Sequence, residues 1–353
     1  MNILVIGKFF TDVFAMHIAE TLAAQGYSVQ RFEPGVKLHR IEGRIGQRLD
    51  QALSTVHGAT DSIPRIRKRR MRGLWERLEE QRPEVVIVCY DFLWADEVAA
   101  IKRRTGASIA MWFPDHLANF DRAHFMNAAY DALFFKDPYI VHILRGRLAS
   151  PVRYLPECFN PARHRLPEGE VIGPEYRCDI TTAGNAHSWR VALYNQLGRY
   201  DVKLWGGPLP LWMPNGPAKA MHQGRSVMND EKARAFLGAK IVLNNLHYGE
   251  IWGVNVRTFE AAGIGAFQIV DWRPAVDQLL DDGKEVVTFR HMEDLLPKID
   301  YWLRHDDERA AVARAGKRRA AAEHTYAHRL SLLLDSLAGR ADGYPMPDIR
   351  SWI

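Results

Sequence analysis

The chain has 353 residues, of which 47% are hydrophobic and 25% charged, with a net charge of +5. This is the profile of an ordinary globular protein of about two domain lengths. It excludes a disulfide framework, because the three cysteines (Cys89, Cys158 and Cys178) are scattered and odd in number. It also excludes a membrane-spanning helix, because no apolar run approaches about 20 residues. The basic excess is too dispersed to indicate nucleic acid. Met1–Gly7 goes straight into a strand pattern, without the basic region and apolar core of a signal peptide, so a cytoplasmic location is expected.

In chain order, Asn2–Ile6 reads as a buried strand, Thr11–Gln25 as an amphipathic helix and Tyr27–Phe32 as the next strand. This strand–helix–strand unit predicts a parallel sheet with a right-handed crossover. Gly7 would let a ligand approach the carboxyl end of the first strand. The G-x-G-x-x-G dinucleotide fingerprint is absent. Residues 37–82 are polar and helical. Their basic run, Arg65–Arg72, reads as the solvated face of a helix rather than a docking patch. Further strands are expected at Glu84–Tyr90, Ser108–Phe113, Tyr130–Lys136 and Val152–Pro156. Helices are expected at Trp94–Thr105 and from Asp137-Pro138 through Leu148. Asp115 and His116 follow a strand directly, at the sheet edge where chemistry concentrates, so they are candidates for contacting a sugar or moving a proton. The competing reading makes Asp115 a turn cap and His116 a surface histidine.

Prolines and glycines between Phe159 and Tyr176 mark a linker. The pattern then restarts with strand Arg177–Gly184, loop Asn185–Arg190, helix Arg190–Leu197 and strand Val202–Trp205. After a proline-rich loop come helix Asp230–Ala239 and strand Ile241–Leu243. Gly253–Asn255 reads as a turn, Val256–Ala262 as a helix and Ala266–Val270 as a strand. A helix start after a glycine turn suits a phosphate. There Gly253, Val254 and Asn255 offer amides, Arg257 a forked cation, and Glu260 an acceptor for a ribose diol. Strand Val286–Phe289 and helices Met292–Arg304, Asp306–Glu323 and Thr325–Leu337 complete the chain. The Gly184 loop, Asn244, Asn245 and the Gly253–Glu260 segment are expected at one sheet edge. Trp205 and Trp212 could stack on a base, although core packing is the commoner use of such residues. His17, His187 and His247 show no ligand spacing, so no metal is expected.

Several stretches in the last third resemble the GT-B glycosyltransferases of the "glycosyl transferases group 1" type, and within them the spore-maturation-protein-like (CgeB-type) branch. They are Val242–Asn245, Gly253–Glu260, Gly265–Asp271, Glu285–Phe289, Asp294–Leu296 and Glu323–Tyr326. Trp112–Asp115, Lys136–Tyr139 and Leu155–Pro161 agree more loosely. The resemblance implies an α/β fold of two facing Rossmann-like domains with a cleft between them. The expected division is an acceptor-side domain at 1–160, a linker at 161–176 and a nucleotide-sugar-binding domain at 177–325. A helix and tail at 326–353 could cross back onto the first domain or make a homodimer contact.

The resemblance further implies transfer of a sugar from a nucleotide-diphosphate donor to an acceptor of unidentified class: protein, glycan, lipid or small molecule. No cofactor or metal is implied, the nucleotide sugar being a co-substrate. Glu260 matches the second glutamate of the retaining pair. Trp252 stands where the first would be, with Glu250 two residues away. Arg257, Arg190, the Gly253–Val256 amides and the loop at Gly184 and Asn185 would neutralise the leaving diphosphate. An epimerase, a phosphorylase or an inactive nucleotide-sugar-binding subunit on the same fold are the competing readings.

Overall fold

The computed structural model describes residues 1–34, 60–120, 122–207, 209, 212–213 and 215–349. The helical expectation for 37–59, parts of the 208–217 loop and Trp352 lie outside the described residues.

The chain divides into two compact units. Described residues within Met1–Trp112, Arg122–Leu133 and Ala149–Pro151 form the first, and those within Phe113–Asp121, Phe134–Leu148 and Val152–Ile353 the second. The first sheet contains β1 (Asn2–Ile6), β2 (Ser28–Phe32), β3 (Val85–Cys89), β4 (Ser108–Phe113), β5 (Ala132–Phe135) and β6 (Val152–Tyr154), in the order β2-β1-β3-β4-β5-β6. β1 pairs in parallel with both β2 and β3, and β3 with β4. Every residue of β3 is buried, as expected of a strand covered on both faces. The Phe14–Ala24 helix turns Ala15, Ile18, Ala19 and Leu22 inward, the i, i+3, i+4, i+7 stripe of a helix packed on one side.

Gly7 is explained by packing within the first unit. A Cβ there would lie 2.5 Å from Ala15 Cβ and 3.1 Å from Cys89 Cβ. The basic run splits by face. Arg67 is buried, donating to Glu97 Oε1 (2.8 Å) and Asp61 Oδ2 (2.7 Å), while Arg65, Lys68, Arg69 and Arg72 are exposed. The solvated-face reading therefore holds for those four and fails for Arg67.

The second sheet contains β7 (Cys178–Ala183), β8 (Val202–Trp205), β9 (Ala239–Asn244), β10 (Gln268–Asp271) and β11 (Val287–Phe289), in the order β11-β10-β9-β7-β8 with parallel pairings throughout. The chain order reverses between β7 and β9. In an open parallel sheet that reversal leaves a crevice at the carboxyl ends of the two strands. Gly184 follows β7 and Asn245 follows β9.

The Val256–Ile264 helix runs through Gly263, two residues beyond the Val256–Ala262 span, and ends at Gly265, whose φ is 92°, within the Gly263–Gly265 stop that the sequence suggests. Gly263 is a packing glycine, since a Cβ there would fall inside the Phe159 ring. The segment read as a linker is partly built into the second unit. Phe159 N–H donates to His324 O, Tyr326 N–H donates to Phe159 O, and His164 is buried. The tail also folds back: Tyr344 N–H donates 2.7 Å to Tyr154 O, and the two rings meet edge to face at 5.7 Å.

Gly263→Ala should destabilise the protein by about 1–3 kcal/mol, the usual cost of overpacking. A urea melt checks this, and an unchanged midpoint would refute the packing account.

Candidate functional site

The site lies in the second unit and begins with two arginines. The short helix Ser188–Tyr194 carries Arg190, and the Val256–Ile264 helix carries Arg257 in its first turn. Both side chains converge on Gly184. At φ +137° this glycine has a backbone that other residues rarely adopt, and a Cβ on it would overlap the Arg257 guanidinium and approach Arg190 Nη1 at 3.2 Å.

The guanidinium donors are partly used by neutral oxygens. Arg257 Nη1 donates to Asn244 Oδ1 (3.0 Å). Arg190 donates from Nη1 to Asn185 O (3.0 Å) and from Nε to Asn245 O (3.3 Å). Among the described residues, no carboxylate oxygen forms an ion pair with either arginine within 4.0 Å. Burial, and then the Arg190 charge, push the Arg257 guanidinium down to about 10. The fully buried Asn245 side chain accepts from Tyr194 Oη (3.1 Å), and its Nδ2 has no hydrogen-bond partner. Two buried cations without an acid and an unspent N–H donor are the chemistry of a site for an anion.

Asn255 caps the Val256–Ile264 helix, accepting from Thr258 N–H (3.3 Å), and exchanges amide hydrogen bonds with Asn244 at 3.1 Å in each direction. Asn244 is thus spent on orienting Arg257 and Asn255. Val254 is core, packed with Leu246 and Phe259. Gly253 allows close approach: a Cβ would lie 2.9 Å from Lys136 O and from Asp137 Cα. Its amide, which the sequence reading offered to a phosphate, instead bonds the Asp137 carboxylate. The Ile251 (2.9 Å) and Trp252 (3.2 Å) amides do the same. The buried carboxylate occupies the anion position that this turn creates. Glu260 Oε1 meets Lys232 Nζ at 2.8 Å and His164 Nε2 at 3.4 Å. Gly7 belongs to the first unit.

Asp115 and His116 fall in the second unit. Asp115 is bonded within its own turn, accepting from His116 N–H (2.8 Å) and Asn119 Nδ2 (2.6 Å). His116 is not a surface histidine. It is buried and stacks on His247, with centroids 4.0 Å apart and planes 4° from parallel. His187 meets His247 edge-on at 5.2 Å. Burial, His116, His187 and Arg190 push His247 down to about 4, so the ring is neutral at pH 7.

Spacing could not reveal this histidine stack, whose three members come from separate loops. Nor could it reveal the buried cluster in which Lys136 bridges Glu250 (2.8 Å) and Glu157 (3.3 Å). Trp205 is core, donating from Nε1 to Thr181 Oγ1 (3.0 Å), whereas Trp212 is exposed.

Residues 188–335, which contain Arg190, Asn244, Asn245, Arg257 and Glu260, match the family model described as glycosyl transferase-like. Solved structures align over nearly the whole chain. Sucrose-phosphate synthase from Thermosynechococcus elongatus is 12% identical, with a TM-score of 0.64 over 97% of this chain and 100% of that one. A glycosyltransferase from Rickettsia africae is 12% identical, with a TM-score of 0.61 over 96% and 98%. Anabaena HepE in complex with UDP-glucose is 9% identical, with a TM-score of 0.60 over 96% and 99%. The fold is GT-B. Among curated proteins none matches the chain. In this GT-B chain the arginine pair sits at the β7/β9 reversal of the second sheet. Among the described residues, no helix is long and apolar enough to cross a membrane.

His247 binds its proton less readily in the native state than in the unfolded chain. Its contribution to stability is therefore complete above about pH 6.5 and is lost as the pH falls toward about 4. The melting temperature should drop across that window, and His247→Asn should flatten the drop. An equal slope in the variant would remove His247 as its source.

Proposed function

We propose that this protein is a glycosyltransferase that moves a hexose from a nucleotide-diphosphate sugar to an acceptor. The observation that carries the reading is the pair of buried arginines beside Gly184, unpaired with any acid among the described residues. A leaving nucleoside diphosphate develops negative charge as the sugar departs. Fixed cations in a water-poor site stabilise that charge without reorganising. Arg190 and Arg257 would bind the diphosphate, with Asn245 Nδ2 as a further donor and Gly184 permitting close approach. Glu260 would receive the ribose hydroxyls. Asp115 and His116 would handle the acceptor proton, with the neutral His247 stacked beneath His116. The structural neighbour HepE is a complex with UDP-glucose, which makes UDP-glucose the first donor to try.

Trp252 stands where the retaining pattern has its first glutamate, and the structure explains the residue by packing. It is buried, with Tyr139 edge-on at 5.1 Å. The CgeB-type branch remains the sequence affinity that best accommodates this departure.

Thermal-shift screening against nucleoside diphosphates and their sugars should raise the melting temperature for one base series, because ligand binds only the folded form. With the donor so identified, Arg257→Gln and Glu260→Gln should each lower kcat/KM by about 100-fold or more, with little change in melting temperature. Full activity in both would sink the site assignment. Conversion of the donor without any acceptor would instead identify an epimerase.

With two arginines neutralising the diphosphate, turnover should survive saturating EDTA. Loss of turnover on chelation, with recovery on adding magnesium, would overturn the metal-independent reading.

A further inference from the structure

The structure places an acid next to the anion site. Glu260 stands one helical turn after Arg257 on the same helix, and its charge is felt at Arg257. A carboxylate there opposes a diphosphate through the same field that the arginines use to attract it. Its partners come from two other segments. Lys232, on the Asn229–Gly238 helix, lies 2.8 Å from Glu260 Oε1 with its side chain only 12% exposed. His164 lies 3.4 Å from the same oxygen and is fully buried. The Asn160 N–H donates to His164 Nδ1 (3.2 Å). His164 Nε2, the other ring nitrogen, faces the Glu260 carboxylate.

We propose that Lys232 is the counter-charge that makes Glu260 compatible with a diphosphate ligand. With Lys232 cancelling Glu260, the site presents the net charge of Arg190 and Arg257 alone. That matches one negative charge on each phosphate of a nucleotide sugar. Lys232 is thus a positioning residue acting through Glu260, and His164 is a second contact on the same carboxylate oxygen. The inference rests on the reading of Arg190 and Arg257 as an anion site.

The test is calorimetric titration of the full chain with inorganic pyrophosphate and with UDP. Lys232→Met should weaken both by about tenfold or more. Glu260→Gln alone should bind pyrophosphate at least as well as the wild type. The double variant should recover the pyrophosphate affinity of Glu260→Gln to within about threefold, and Lys232→Arg, which keeps the charge, should bind as the wild type does. An ion pair that serves stability alone predicts a lower melting temperature with unchanged affinity. That result, or a double variant as weak as Lys232→Met, overturns the proposal. Loss of binding in Arg190→Met but not in Lys232→Met would uphold the anion site and sink the inference. A wild-type protein that binds neither pyrophosphate nor UDP would sink both.

Discussion

Two like charges buried beside each other at Gly184 are the constraint around which the second unit is arranged. Burying a guanidinium costs free energy unless its donors are satisfied, and a second one beside it adds repulsion. The burden shows at Arg257, pushed down to about 10. Asn244 Oδ1, Asn245 O and Asn185 O share it as neutral acceptors. Each acceptor comes from the end of a strand or the loop after it, so the parallel sheet itself delivers the solvation. An arriving anion would relieve the remaining repulsion.

The same economy appears in the turn behind the site. Three successive amides, Ile251, Trp252 and Gly253, converge on the Asp137 carboxylate. Lys136, one residue earlier, bridges Glu250 and Glu157. Adjacent residues of one short strand end therefore clamp the loop that carries His247 and leads into the Arg257 helix. An anion-binding turn filled by the protein's own carboxylate is rigid. The turn that seemed suited to a phosphate thus acts as a support for its neighbour.

Much of this was legible in the chain. Runs such as Val85–Cys89 read as buried strands because a doubly covered parallel strand is apolar throughout. Arg257 and Glu260 read as a site because a capped helix start concentrates donors, and both lie in the second unit with Arg190. Of the Gly263–Gly265 stop only Gly265 caps the helix, because the glycine at 263 answers to the Phe159 ring, which is distant in sequence. The proline-rich stretch after Phe159 looked like a linker by composition, yet it delivers a buried His164 to Glu260.

The sequence by itself determined the alternation of strands and helices, the restart of the pattern near residue 177 and the positions of Gly184, Arg190, Arg257 and Glu260. Those are local properties, set by the period of apolar residues and by turn chemistry. Only the tertiary structure decided which charges are paired. It gave Glu260 to Lys232, Asp137 to the four backbone amides of Tyr139, Ile251, Trp252 and Gly253, and His116 to His247, and it left Arg190 and Arg257 without an acid among the described residues. The reason is physical. Pairing depends on which strand ends the sheet order brings together, and β7 and β9 become neighbours through a reversal of chain order that local spacing does not encode.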